Sequence, residues 1–143
     1  MSDAPATAIL WPAVVMAGLT FLVWARLYQL RLAEMARKRI DAQDLASVSD
    51  SVRLLVDTRA SDNFRNLFEL PVLFYAGVLL AAQLGVADAV SLALAWAFVA
   101  LRAVHSVVHC TWNHVMTRFV AYALGTLVLI AFWIRLAVAL ATA

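Results

Sequence analysis

Residues 62–71 read DNFRNLFELP. Four of these ten residues are amides or acids, one is Arg65, and Glu69 stands after the apolar run that begins at Leu67 has already opened. The run continues as VLFYAGVLLAAQL, and three more of its kind occur in the chain. A membrane core of ~30 Å needs roughly 20 helical residues to cross. Four stretches meet that length, at about 8–30, 67–84, 89–110 and 119–141. Composition agrees: 65% of the 143 residues are hydrophobic and 14% charged, with a mean hydropathy of +0.87. A soluble domain is about half apolar and a quarter charged. The expectation is an all-α, integral membrane four-helix bundle in one domain spanning 1–143.

The rest of the chain fits around these spans. Met1–Thr7 carries no Lys or Arg and the following run is too long for a signal peptide, so the first span reads as retained. Only Gly85–Asp88 separates spans two and three, which predicts a tight antiparallel hairpin. The single Cys110 excludes an intrachain disulfide and any paired-cysteine redox or zinc motif, and reads as a packing residue. The long connection, about 31–65, holds seven of the eleven basic residues, which makes it cytoplasmic and leaves both termini on the other side. It also holds six acids, so it is no polybasic lipid patch. Val48, Val52, Leu55 and Arg59 recur at helical spacing, which allows a short interfacial helix. The net charge of +2 is small and says little alone; nucleic acid is not among the expected partners.

Ionisable groups inside the spans are the functional signal, because each costs about 2.5–3.5 kcal/mol in lipid and therefore faces a bundle interior or a wet cavity. Arg65, Asn66 and Glu69 fall at i, i+1 and i+4, which places all three on one helical face. Arg102, His105 and His109 make a second stripe, and Arg118 with Tyr122 a third. All three lie at the cytoplasmic ends of their spans, outlining a pocket in which Glu69 and Arg102 are the obvious partners. Other readings stand beside this one. A Glu–Arg pair can simply hold helices together. His105, His109 and His114 have helical ligand spacing but no clustered carboxylates, a weak metal or haem signal. Tyr122 can be an interface-belt ring, like Trp11, Trp112 and Trp133, and Arg118 a positive-inside anchor.

The run RNLFE with a following Pro71 resembles the second-helix signature of the MAPEG family, the membrane-associated proteins of eicosanoid and glutathione metabolism. RAVHSVVH at 102–109 is similar to that family's third-helix stripe, and the steps from His109 to Arg118 to Tyr122 match its spacing. The resemblance covers the whole chain and is to a bacterial-type member, with an inner-membrane location. It implies a homotrimer binding glutathione between subunits, near the cytoplasmic side, and acting on a small lipophilic substrate. Arg65, Asn66, Glu69, Arg102, His105 and His109 would contact the tripeptide, Arg31 would reach in from the adjacent subunit, and Arg118 with Tyr122 would serve the thiol. The chemistry is coherent. Two carboxylates and one ammonium call for several cations and one anion, for which Glu69 is the expected acid. A guanidinium beside a thiol of pKa near 8.5 favours the thiolate. Asp62 departs from the pattern, since the best-known members carry an arginine one turn before Asn66.

Overall fold

The computed structural model describes residues 7–142, so the Met1–Thr7 segment read for a signal lies, except for Thr7, outside them. The described chain is helical: α1 Leu10–Lys38, α2 Val48–Leu54, α3 Arg59–Asn66, α4 Leu70–Gln83, α5 Ala89–Cys110 and α6 Val115–Thr142, with a 3₁₀ turn at Ala42–Leu45. Four segments are long and apolar enough to cross a membrane: α1, α3 with α4, α5, and α6. Between 22% and 39% of each apolar window is buried inside the chain, so most of that apolar surface faces outward.

Two helix ends differ from expectation for a common reason: hydropathy reports contact with lipid, not helicity. α1 continues past Leu30 to Lys38, where Glu34 and Lys38 pair at 2.7 Å across one turn. It stops at Arg39, whose left-handed φ of 55° lets Ile40 N–H reach the Met35 carbonyl. α6 likewise starts at Val115, a turn earlier than Phe119. The long connection is therefore no open loop. It contains the end of α1, the short α2 and all of α3.

The second span is broken where a continuous helix was expected. Pro71 has no N–H and its ring crowds the carbonyl four residues back, that of Leu67. α3 accordingly ends at Asn66 and α4 begins at Leu70, with Glu69 between them at φ −97°, ψ −104°. Arg65, Asn66 and Glu69 thus do not share one helical face.

The helices close into a ring. α5 packs along α6, α6 against α4, α4 against α1, and α1 against α5. α4 and α5 stand diagonally rather than as the tight hairpin expected from their short connection. They meet through side chains in the centre, where Phe74 and Phe98 stack at 4.7 Å. Met16, Val78, Leu129 and Phe132 complete this core. At the far end Asp88 caps α5 through the Ser91 N–H at 2.8 Å and pairs with Arg135 of α6, which holds its carboxyl down at about 2.

Gly77 sets the α4–α6 distance. A Cβ there would lie 2.9 Å from Phe132 Cε1 and 3.3 Å from Trp133 Cε2, whereas one on Gly18 meets nothing within 4 Å. Gly77→Ala should cost about 1–3 kcal/mol through overpacking. Gly18→Ala should be neutral or stabilising, because alanine is the better helix former by about 1 kcal/mol. Melting curves of the two variants in one detergent test the pair.

Candidate functional site

The polar residues gather where α3 ends, α5 ends and α6 begins. Arg102, on α5, is fully buried. Its Nη2 donates to the Asn66 carbonyl at the end of α3, and its guanidinium carbon lies 5.2 Å from the centre of the Tyr122 ring. The expected Glu69–Arg102 ion pair is not formed. The break at Pro71 turns Glu69 outward, where its carboxylate accepts the Tyr122 hydroxyl at 3.5 Å, and the freed Asn66 carbonyl takes the arginine instead.

One turn along α5, His105 is buried with Nδ1 at 2.8 Å from the Arg118 carbonyl. A carbonyl only accepts, so Nδ1 carries the proton. His109, a further turn on, has Nε2 at 2.5 Å from Arg118 Nη1. A guanidinium only donates, so Nε2 holds the lone pair and His109 is the neutral Nδ1–H tautomer. The same Arg118 Nη1 donates to Asn113 Oδ1 at 2.8 Å. Arg118 is therefore fixed by two uncharged acceptors, and among the described residues it has no carboxylate partner. His105 Nε2, His109 Nδ1 and Arg102 Nε and Nη1 are buried without protein partners.

These groups border a cavity of about 370 Å³, lined by Asp62, Asn66, His105, His109, Val115, Arg118, Phe119 and Tyr122. Five of the nine residues singled out from sequence line it. Arg102 lies beneath it and Glu69 at its edge, bonded to Tyr122. Arg31 and Arg65 line a different cavity, on the α1 side of α3. The acid on the cavity wall is Asp62, not Glu69. His114 does not join the other histidines: its Nδ1 accepts the Thr117 N–H at 3.3 Å and meets the Thr117 hydroxyl at 2.8 Å, capping α6. Among the described residues no group of three or more His, Cys, Asp or Glu converges as metal ligands would.

Several supporting residues escaped the sequence reading. Asn113 adopts φ 51°, which Asn tolerates better than most residues, and so turns the 111–114 connection while holding Arg118. Arg59 ties α3 to this connection through the Thr111 carbonyl at 2.5 Å. Fully buried Asn63 donates to Cys110 Sγ at 3.3 Å and accepts Ser106 Oγ at 3.3 Å, joining α3 to α5. Cys110 is thus a hydrogen-bonded partner as well as filler. Asn63 and Ser106 were readable as paired small polar groups on opposed helices; the Asn113 turn carried only the weak signal of an Asn between helices.

Fold and polar cluster together define an integral, multi-pass membrane protein of four spans with a buried polar site at one end of the bundle. The chain belongs to the MAPEG family, whose model matches residues 9–138 of the 143. No curated protein and no solved structure matches it.

Asn113 separates two roles that substitution can resolve. Asn113→Gly keeps the left-handed turn and removes only the acceptor for Arg118, whereas Asn113→Ala also forces φ 51° on a residue that pays about 1–2 kcal/mol for it. The alanine variant should melt below the glycine variant by roughly 1 kcal/mol in unfolding free energy, and equal stabilities would contradict the turn geometry.

Proposed function

We propose that the protein is a membrane-bound, glutathione-dependent transferase or peroxidase acting on a lipophilic electrophile. The observation behind this reading is Arg118. Its guanidinium stands at the wall of a cavity, oriented by His109 and Asn113, both neutral, and makes no ion pair among the described residues, although Asp62 lines the same cavity. A fixed cation without an ion-pair partner favours an anionic ligand; at 4 Å and an effective dielectric of 20 a unit pair is worth about 4 kcal/mol before desolvation. Arginine suits the task because it remains charged when partly buried.

Glutathione fits the donor set. The Arg118 guanidinium and the Tyr122 hydroxyl would favour its sulfur as the anion, and Asn66 offers an amide for its backbone. Asp62 would face its ammonium. When bound, it supplies a sulfur nucleophile for an electrophile dissolved in the bilayer. His105 and His109 hold the wall that orients Arg118: one fixes its carbonyl, the other its guanidinium. The homotrimer, the cytoplasmic opening of the site and the non-cytoplasmic termini belong to the same proposal, supported by the family and by the basic residues of 31–65.

A second reading rests on Arg102. Its hydrogen bond goes to the broken helix, which suits a non-catalytic membrane protein of this fold whose buried Arg and His groups are structural. The two are separated by glutathione titration of the purified protein, following heat and the ultraviolet thiolate band. Wild type should bind and show the band, and Arg118→Ala should lose it while still folding. Asp62→Asn removes the acid that would face the ammonium and should weaken binding by up to about tenfold, roughly 1.4 kcal/mol. Absence of binding at millimolar glutathione would sink the transferase reading and leave the structural one.

A further inference from the structure

The cavity on the α1 side of α3 has a volume of about 290 Å³, and it shares no lining residue with the Arg118 cavity. Its walls change character along α1. Leu27 and Leu30 come from the apolar stretch and Arg31 follows directly; Leu55, just beyond α2, and Arg65 of α3 also line it. The space equals the liquid volume of roughly ten waters, enough for a glycerophosphate group.

Its charges do not cancel. Two acids line the wall, Glu34 and Asp57, and both are already paired. Glu34 takes the Lys38 ammonium at 2.7 Å and the Val56 N–H at 3.0 Å. Asp57 accepts Arg59 Nη2 at 2.6 Å and Nε at 2.8 Å, and this guanidinium holds its carboxyl below the usual carboxylate range. Arg31 and Arg65 make no ion pair among the described residues. Counting acids along 31–65 argued against a basic lipid site; pairing in three dimensions leaves two guanidinium groups unmatched.

The depth of the cavity is marked from two sides. Trp24 and Tyr28, exposed and 5.0 Å apart, stand one to two turns before Arg31 on the span, as aromatic residues do at a membrane boundary. Val48, Val52 and Val56 expose an apolar stripe along and just beyond α2, as a helix lying in the interface would. A basic, apolar-floored cavity at that depth meets lipid headgroups. Arginine also matches phosphate oxygens with paired N–H donors.

The geometry points to a binding site for an anionic phospholipid of the surrounding bilayer, its phosphate between Arg31 and Arg65 and its chains running down past Leu27 and Leu30. The inference stands apart from the thiol reading, because it assigns these two arginines to lipid rather than to glutathione. The protein is to be purified from bilayers of equal phosphatidylglycerol and phosphatidylcholine, and its retained lipid measured by native mass spectrometry. Phosphatidylglycerol should be retained in at least fivefold excess. The double variant R31Q/R65Q should bring that ratio near one, R31K/R65K should keep most of it, and Arg118→Gln should leave it unchanged. Where the glutamine variant does not fold, the wild-type ratio and the lysine variant decide. Equal retention of the two lipids by wild type overturns the proposal. So does displacement of the lipid by millimolar inorganic phosphate, which would mark a free-anion site, or by millimolar glutathione, which would return the arginines to the thiol site. A protein that binds no glutathione yet keeps the lipid preference refutes the transferase reading alone.

Discussion

The arrangement of the polar end depends on one hydrogen bond, from buried Arg102 to the carbonyl of Asn66. Inside a bilayer a broken helix leaves backbone carbonyls that water cannot reach, and each must find a partner within the protein. Such a break stands at Leu67–Glu69, just before Pro71. α5 supplies the donor, and the same guanidinium packs against the Tyr122 ring of α6 at 5.2 Å, so the break, α5 and α6 are fastened at one point. A cation on an aromatic face gains about 2 kcal/mol or more when desolvated. That partly offsets the cost of burying an arginine whose Nε and Nη1 have no protein partner.

The geometry of the cavity follows from this fastening. With Arg102 drawn to Asn66, Glu69 is left to the Tyr122 hydroxyl, and Tyr122 is held between the two, ring on one and hydroxyl on the other. His105 then reaches past it to the Arg118 carbonyl, and His109 to the Arg118 side chain, so two successive turns of α5 grip one residue of α6. Eight residues separate His109 from Arg118, and they suffice only because Asn113 takes a left-handed conformation and turns the chain back at once. The cation is placed by its neighbours' neutrality. An acid in place of His109 or Asn113 would hold it as firmly but cancel its charge.

Much of this was legible in sequence, and the misses share a cause. The four apolar runs correspond to four helical segments able to cross a membrane, because lipid imposes length and composition strongly enough to read directly. Helix beyond the lipid was not legible. The end of α1 and the whole of α3 carry Arg, Glu, Lys and Asp, which hydropathy scores as loop although Glu34–Lys38 has helical spacing. The proline break was legible but overlooked, since Pro71 stood in plain view within DNFRNLFELP, and that oversight produced the false Glu69–Arg102 pair. The spacing grouped Arg118 with His105 and His109, and the structure brings the three into contact. Asn113, Arg59 and the Asn63–Ser106–Cys110 set were not, because their roles depend on how a four-residue connection and a short helix fold back onto α5.

The short helix α3 also divides the chemistry of the protein. Asp62 and Asn66 line the cavity on its α5–α6 side and Arg65 the one on its α1 side, as neighbouring residues on a helix must when successive side chains are ~100° apart. Each side keeps its own charge balance. On one, Arg118 and Asp62 line the same cavity as His105 and His109; on the other, Glu34 and Asp57 are spent on Lys38 and Arg59 while Arg31 and Arg65 stay unmatched among the described residues. Within a single chain no ligand can use Arg65 and Arg118 together without passing α3. Either a second copy brings such groups side by side, or the two sites take different anions. The apolar floor beneath Arg31 favours the second arrangement, because a peptide gains nothing from Leu27 and Leu30 while a lipid does.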